Sequence, residues 1–398
     1  MPFLPRLLAG ELARAARNFP VVILTGPRRA GKTTLLRHLF PKADYRLLED
    51  PDVIARVRSD PRGFLAELRP PVLLDEIQNA PELLNYVRTR VDAAPRRAGQ
   101  WLLTGSQEAP LMQGVTESLA GRAAILHLLP LSSRESPKVS PFRGGFPEPL
   151  ARPATAATWY RSYVQTYLER DVRAVTAIRD LSTFRRFIAL LASRCGQVLN
   201  KTDLAAPLGV SIPTLTQWLG ILEVTGQILL VPPYFENFGK RLIKSPKPYF
   251  VDSGLACHLL GIESAAALDR SPFHGAIFEG FVASEIAKQQ IARGRPRELY
   301  YFRDQQGLEV DFVVPAGDHR LLLVEAKASR TATPAMAGAL EKLARAVKGK
   351  RAESLLVHRP GREIAGLTAL TPGVRAVPVS VLLERLAPRA SLRRGSAR

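Results

Sequence analysis

The chain has 398 residues, of which 46% are hydrophobic, so it is not a mainly disordered polymer, and its length sets an expectation of about two to three domains. Its two cysteines, Cys195 and Cys257, exclude a disulfide framework and lack metal-ligand spacing; both are expected as core thiols in a reducing cytoplasm. The formal charge of +20 favours contact with nucleic acid or another polyanion, although an Arg- and Ala-rich composition alone produces the same balance.

No apolar run approaches the roughly 18 residues that span a bilayer. Residues 1–11 lack the charged, apolar, then small-residue pattern of a secretory leader, so neither membrane nor export is expected. Residues 5–18 have apolar positions at helical spacing and read as a lead-in helix. Val21-Val22-Ile23-Leu24 is a short apolar, β-branched run that reads as a buried strand. Gly26-Pro27-Arg28-Arg29-Ala30-Gly31-Lys32-Thr33 follows, with the spacing G-x-x-x-x-G-K-[ST] of a phosphate-binding loop, and Thr34 continues into a helix. Strand, glycine loop and helix is the order this chemistry needs. The glycines let backbone N–H groups close around phosphates, and the helix N-terminus adds its positive dipole end. Lys32 is expected at the β- and γ-phosphates and Thr33 at Mg²⁺, so ATP and Mg²⁺ are the expected ligands.

A second strand is expected at 44–48 and a helical stretch at 50–68, interrupted near Asp60-Pro61. Val72-Leu73-Leu74-Asp75-Glu76 is a strand ending in two carboxylates. Asp75 suits Mg²⁺ beside Thr33, at the strand end where α/β sheets bind ligands. Glu76 is placed to polarise the attacking water. Residues 82–91 read as a helix. Trp101-Leu102-Leu103-Thr104-Gly105-Ser106 is a strand ending in small polar residues. Ser106 and Thr104 both qualify for the γ-phosphate or the water. Arg122, closing Leu119-Ala120-Gly121-Arg122, is a candidate arginine finger or an ordinary ion-paired arginine.

The run from Gly26 through Arg122, followed by Leu129-Pro130-Leu131-Ser132, resembles bacterial and archaeal AAA-type ATPases that carry a C-terminal domain related to PD-(D/E)XK nucleases. The Leu-Ala-Gly-Arg run and a following Leu-x-Pro-Leu-Ser strand are characteristic of that family. Ser133-Arg134-Glu135 departs from its usual Phe-x-Glu, away from the nucleotide site. Gly144-Gly145-Phe146-Pro147 and Tyr167-Leu168-Glu169-Arg170-Asp171-Val172 match further family elements.

Five prolines make 136–153 a loop or linker. Helices are expected at 158–175 and 181–195. A helix capped by Asn200 or Thr202, a turn at Leu208-Gly209-Val210 and a helix starting at Ser211-Ile212-Pro213-Thr214 have helix-turn-helix spacing. Strands at 228–234 and 248–252 would then form a wing. Thr214, Gln217 and Lys240 or Lys244 are candidates to approach DNA, and an architectural winged helix is the equal alternative.

In the last third, 274–290 reads as a helix carrying Glu279, followed by strands at 300–303, 308–314 and 321–327. Asp311 lies in one strand, and Glu325 and Lys327 lie on the same face of the next. This order of residues resembles the PD-(D/E)XK nuclease core. The resemblance implies Asp311 and Glu325 as Mg²⁺ ligands, Glu279 as an added acid, and Lys327 orienting water.

The expected architecture is α/β. It comprises a P-loop AAA-type ATPase domain (1–135), a helical and winged-helix middle (154–260), a C-terminal α/β restriction-endonuclease-like domain (271–388) and a basic tail (389–398). The leading functional expectation is ATP hydrolysis coupled to a nuclease-like domain on nucleic acid, DNA above all. The alternatives are a nucleotide-dependent switch acting on a protein partner and a DNA-binding regulator that does not cleave. An oligomer is compatible with all three.

Overall fold

The computed structural model describes residues 3–95, 97–105, 118–168, 181–234, 245–317, 319–347, 349–359 and 368–386. Ser106, the charged residues 169–171, Lys240, Lys244 and the basic tail lie outside the described residues.

Five short strands build the N-terminal sheet: β1 (Val21–Thr25), β2 (Asp44–Leu47), β3 (Val72–Asp75), β4 (Trp101–Thr104) and β5 (Ala123–His127). All pair in parallel, in the order β2-β3-β4-β1-β5. Their central members are apolar throughout because both faces are covered, as a parallel sheet requires. Val21, Ile23, Val72, Leu74 and Leu103 enter one core with the helices around Val57, Phe64 and Leu84. Val22, Leu24, Leu73 and Leu102 enter the other, with Leu12 of helix Ala9–Asn18 and Leu35 of helix Lys32–Leu39.

The interruption at Asp60-Pro61 separates two helices, Pro51–Ser59 and Pro61–Glu67. Asp50 and Asp60 cap them, and each has proline at its start, where the missing N–H costs nothing. The strand expected at 129–132 lies earlier, at 123–127. Pro130 has no N–H to extend the ladder, and Leu131 instead donates to the Gly145 carbonyl at 2.8 Å.

The middle of the chain contains helices Ala156–Tyr163, Leu181–Ser193, Lys201–Ala205 and Ile212–Val224, then a hairpin of β6 (Ile228–Val231) and β7 (Lys247–Phe250). Asn200 and Ser211 cap the third and fourth of these helices, with Gly209 at φ +66° in the turn between them. Phe184, Phe187, Leu191, Leu215 and Trp218 form their shared core. Gln217 is exposed and Thr214 half-buried on the outer side of the last helix.

The hairpin does not stand free as a wing. Leu229, Val231, Tyr249 and Val251 are packed in the core of the C-terminal domain. The chain after β6 continues onto the edge of that domain's sheet, where Tyr234 donates its N–H to the Tyr301 carbonyl at 2.7 Å.

That sheet has six strands: β8 (Tyr300–Arg303), β9 (Glu309–Pro315), β10 (Arg320–Lys327), β11 (Arg351–His358), β12 (Thr368–Thr371) and β13 (Val374–Val377). Their order is β12-β13-β11-β10-β9-β8, parallel at β10–β11 and β11–β13 and antiparallel elsewhere. Helix His274–Ile291 covers one face against Phe312, Val314, Leu322 and Val324. Helix Gly338–Ala346 covers the other, against Val313, Leu323 and Leu356. No helix among the described residues is long and apolar enough to cross a membrane.

Candidate nucleotide site and a second charged cluster

The phosphate loop leaves β1 at Gly26, whose φ is +132°. A Cβ there would lie 2.2 Å from the Leu128 carbonyl oxygen, so both conformation and space demand glycine. Gly31 (φ +97°) and Arg29 (φ +62°) also take left-handed angles, as backbone that curls around an anion does. Pro27 and Ala30 complete the loop; the carbonyl of the first accepts the Ala30 N–H at 3.3 Å. Helix Lys32–Leu39 starts at the loop's end, with Thr33 and Thr34 in its first turn.

Lys32 is buried, and its ammonium donates to the Gly26 and Pro27 carbonyls at 2.8 and 3.0 Å. Thr33 Oγ1 lies 2.9 Å from both carboxylate oxygens of Asp75. β3 and β1 are separated only by β4, so the sheet itself delivers Asp75 to the loop. Thr104, at the end of β4, donates to Asp75 and accepts the Glu76 N–H at 3.0 Å. The polar residue between the two motifs is therefore Thr104 among the described residues. Tyr45 of β2 adds a hydrogen bond to Asp75 at 2.9 Å, and burial together with the Asp75 charge pushes its phenol up to about 12.

Glu76 is one of three non-glycine residues at positive φ (+61°) among the described residues. Such strain is concentrated at functional positions. Its carboxylate accepts from Gln78 and lines a cavity of about 810 Å³ bounded by residues 28–35, Tyr45, Asp75 and Glu148. That volume is within the ordinary range for a ligand pocket. His127, beneath the loop, bonds Thr25 Oγ1 at 3.1 Å. Burial, then the Lys32 charge, lower it to about 4, so it is neutral at pH 7. The donor set fits Mg²⁺ and a triphosphate: hard oxygens of Thr33 and Asp75 lie side by side, beneath the glycine loop that carries the Lys32 ammonium.

Arg122 does not reach this site. It precedes Ala123, which pairs with Val21 at the start of β1, whereas the loop follows Thr25 at the other end. The two are separated by about 13 Å of strand. Its guanidinium pairs with Asp92 at 2.6 and 3.2 Å. An arginine-finger role within its own subunit is excluded by this placement.

The loop is gripped from three sides. Arg6 donates to the carbonyls of Ala30 at 2.8 Å and Leu129 at 2.6 Å, and pairs with Glu135 at 3.1 Å. Tyr163 Oη, bonded to Gln227, lies 3.5 Å from the Arg28 carbonyl. Gly226, in the turn before β6, sits so close that a Cβ would be 3.1 Å from Pro27. The following segment binds the C-terminal domain. Ser133 N–H and Oγ donate to Glu285 at 2.8 and 2.6 Å, and Lys288 donates to the Leu131 carbonyl at 3.0 Å. Glu285 and Lys288 are on the same helix as Glu279.

Glu279, Asp311, Glu325 and Lys327 do come together, but as an ion-pair network. Lys247 of β7, almost fully buried, pairs with Glu279 at 3.3 Å and with Glu309. Tyr249 donates to Glu279. Lys327 pairs with Glu325 at 2.6 Å, and Asp311 Oδ2 accepts the Ala326 N–H at 2.8 Å. Burial and the Asp311 charge raise Glu279 and Glu325 well above the usual carboxylate range. Burial opposes the Lys247 ammonium, but the charges of Glu279, Asp311 and Glu309 outweigh it and raise that group. Among the described residues no three carboxylate, histidine or cysteine side chains form a group that could hold a metal. The expected Mg²⁺ ligands Glu279, Asp311 and Glu325 thus share one cluster with Lys247 and Lys327, which pair with Glu279 and Glu325. Glu325 Oε2 is buried without a hydrogen-bond partner, yet one oxygen does not make a cation cradle.

Three family models match successive parts of the chain: an AAA domain at residues 18–136, a domain of unknown function (DUF8612) at 140–266 and a domain of unknown function (DUF4143) at 274–382. A solved structure similar to this chain is the Walker-type ATPase Paby2304 of Pyrococcus abyssi, with 17% identity, a TM-score of 0.41, and coverage of 63% of this chain and 94% of that one. The uncharacterized protein Rv2008c of Mycobacterium tuberculosis is 36% identical over 313 residues, covering 77% of this chain and 70% of the relative. The uncharacterized protein Mb2031c of Mycobacterium bovis matches to the same extent. The chain belongs to the family of these mycobacterial proteins, with a P-loop AAA domain in its N-terminal third.

Proposed function

We propose that the chain is an ATPase whose nucleotide cycle acts on a nucleic-acid-binding, non-cleaving C-terminal half. The observation that carries the first part is the Thr33 hydroxyl held 2.9 Å from both Asp75 oxygens beneath the glycine loop. Bound Mg²⁺ would supply charge neutralisation on the β- and γ-phosphates there. Lys32 leaves its two carbonyls to meet the phosphate oxygens. Glu76 orients a water and takes its proton as the water oxygen bonds to the γ-phosphorus and the bond to the β,γ-bridging oxygen breaks. Any phosphate contact by Arg122 would be to a neighbouring copy.

The contacts of Gly226 and Tyr163 with the loop, and of Ser133 with Glu285, give a material connection from the nucleotide to both later domains. The elements 201–250, read as a winged helix seated on a nuclease-like sheet, suit binding more than cutting. The ammonium of Lys247 already pairs with Glu279 and Glu309 beside the expected metal ligands, which favours binding over cutting. The basic composition supports DNA as the partner over an acidic protein.

Duplex, branched and single-stranded DNA incubated with Mg²⁺ or Mn²⁺ test this reading. The expected outcome is no metal-dependent cleavage, and no difference between wild type and Lys327→Ala. Steady-state ATP turnover is expected to change when DNA is added. Cleavage lost on Lys327→Ala would overturn the non-cleaving assignment, and turnover indifferent to DNA would overturn the coupling.

A further inference from the structure

At the end of the C-terminal sheet away from the lysine-filled cluster, the structure forms a cleft of about 1320 Å³. β10 runs from one to the other, so the two lie roughly 23 Å apart at strand rise. Arg293, Arg295, Arg320, Arg351, Arg375 and Arg385 line the cleft, against two carboxylates among the described residues, Glu298 and Glu353. Glu353 is already taken by Arg375 at 2.6 Å and Arg385 at 3.5 Å. Arg293 caps the last helix by donating to the Leu386 carbonyl at 2.6 Å. Arg295, Arg320 and Arg351 are exposed and form no ion pair among the described residues.

Arg320 and Arg351 are direct partners in the parallel β10–β11 register, so two like charges stand side by side on one face. Such a pair is unfavourable for the fold unless an anion lies against it. The crowding extends to Arg293, which burial and the charges of Arg134 and Arg295 push below the usual arginine range.

We infer that this cleft binds the phosphodiester backbone of duplex nucleic acid. Among the described residues the lining contains no Phe, Tyr, Trp or His. Single-strand sites place bases on aromatic rings, and none is offered here. A duplex presents paired rows of phosphates with its bases stacked away, which suits arginine forks without a stacking surface. Recognition is consequently independent of sequence and steeply dependent on salt. The cleft is larger than a typical small-molecule pocket, consistent with an extended ligand. This inference rests on the nucleic-acid reading above and assigns its location.

The test is anisotropy of a labelled 30-base-pair duplex with the full chain, titrated across salt concentration. Wild type is compared with R295A/R320A/R351A and with the single variant Arg295→Ala. These side chains are exposed, and their truncation is tolerated by the fold. Unchanged ATP turnover without DNA checks that. The triple variant is expected to bind more weakly, with a log–log salt slope shallower by about 2.7, and Arg295→Ala with a slope shallower by about 0.9. A single strand of equal length is expected to bind more weakly than the duplex. Wild type that fails to bind duplex at low salt would sink the nucleic-acid reading itself. Duplex binding with the same slope in all three proteins would leave that reading standing and overturn the cleft. Tighter binding of poly-glutamate than of duplex, lost in the triple variant, would assign the cleft to an acidic protein instead.

Discussion

Glu76→Gln is expected to stop ATP turnover while leaving nucleotide binding intact. Loss of a positioned general base slows chemistry by roughly 10²–10⁴-fold. The amide keeps the size and hydrogen-bonding reach of the carboxylate but cannot take the proton. Glu76 is placed for this by three features. β3 ends at Asp75, so the next side chain emerges at the mouth of the cavity. Its backbone turns left-handed, and its N–H is fixed on Thr104. Because Asp75 and Thr33 are untouched, Mg²⁺-dependent affinity for labelled ATP is expected to match wild type. Parallel loss of binding and turnover would show that Glu76 shapes the pocket rather than the chemistry.

Lys247→Met is expected to destabilise the C-terminal half strongly. Removing one partner from a buried ion pair costs up to about 3–5 kcal/mol; here Glu309 and Asp311 lose their cation, whereas Glu279, already raised to about 8, can take a proton, so the cost is expected toward the lower end. Glu279 is surrounded by Tyr249, Lys247 and Gly196, and burial already disfavours its charge. Lys327→Met removes a cation whose side chain is 38% exposed, so its cost is expected nearer 1 kcal/mol. Denaturant unfolding of the two variants tests this ranking. Pairing Lys247→Met with Glu279→Gln is expected to recover part of the loss only at alkaline pH, where Glu279 would otherwise carry a charge without its cation. Equal stability of Lys247→Met and wild type would mean that the cluster is open to water. A metal could then enter it.

The same cluster shows how much the sequence discloses. Glu279, Asp311, Glu325 and Lys327 were legible because each stands in a clear helix or strand, and the fold brings them together. Lys247 was not, since its strand precedes Glu279 by some 30 residues and reads as part of a wing. Only the seating of that hairpin on the C-terminal sheet turns its alternate residues inward. That lysine pairs with Glu279 and Glu309, partners that the spacing of the carboxylates did not disclose.

At the nucleotide site the balance is different. The loop, Lys32, Thr33 and Asp75 are readable because phosphate binding is a local device of strand, glycine turn and helix. Thr104, Tyr45 and Arg6 were missed or left unseparated. Their partners lie 24 to 30 residues away or more, and only the strand order puts β4 between β1 and β3. For Arg122 the structure favours the ion-paired alternative within its own subunit. Its motif is recognisable, but parallel pairing places it at the wrong end of the sheet. β12 and β13 escaped notice because Thr368–Thr371 and Val374–Val377 are short and mix polar with apolar residues.

The central claim is that phosphate chemistry takes place at the loop from Gly26 to Thr33. Phosphate release from ATP by wild type and Lys32→Ala, with Mg²⁺ and with and without duplex DNA, tests it most directly. Mg²⁺-dependent turnover in wild type and its disappearance in Lys32→Ala are the predicted result. Turnover that survives in Lys32→Ala, or is absent from wild type under both conditions, would contradict it.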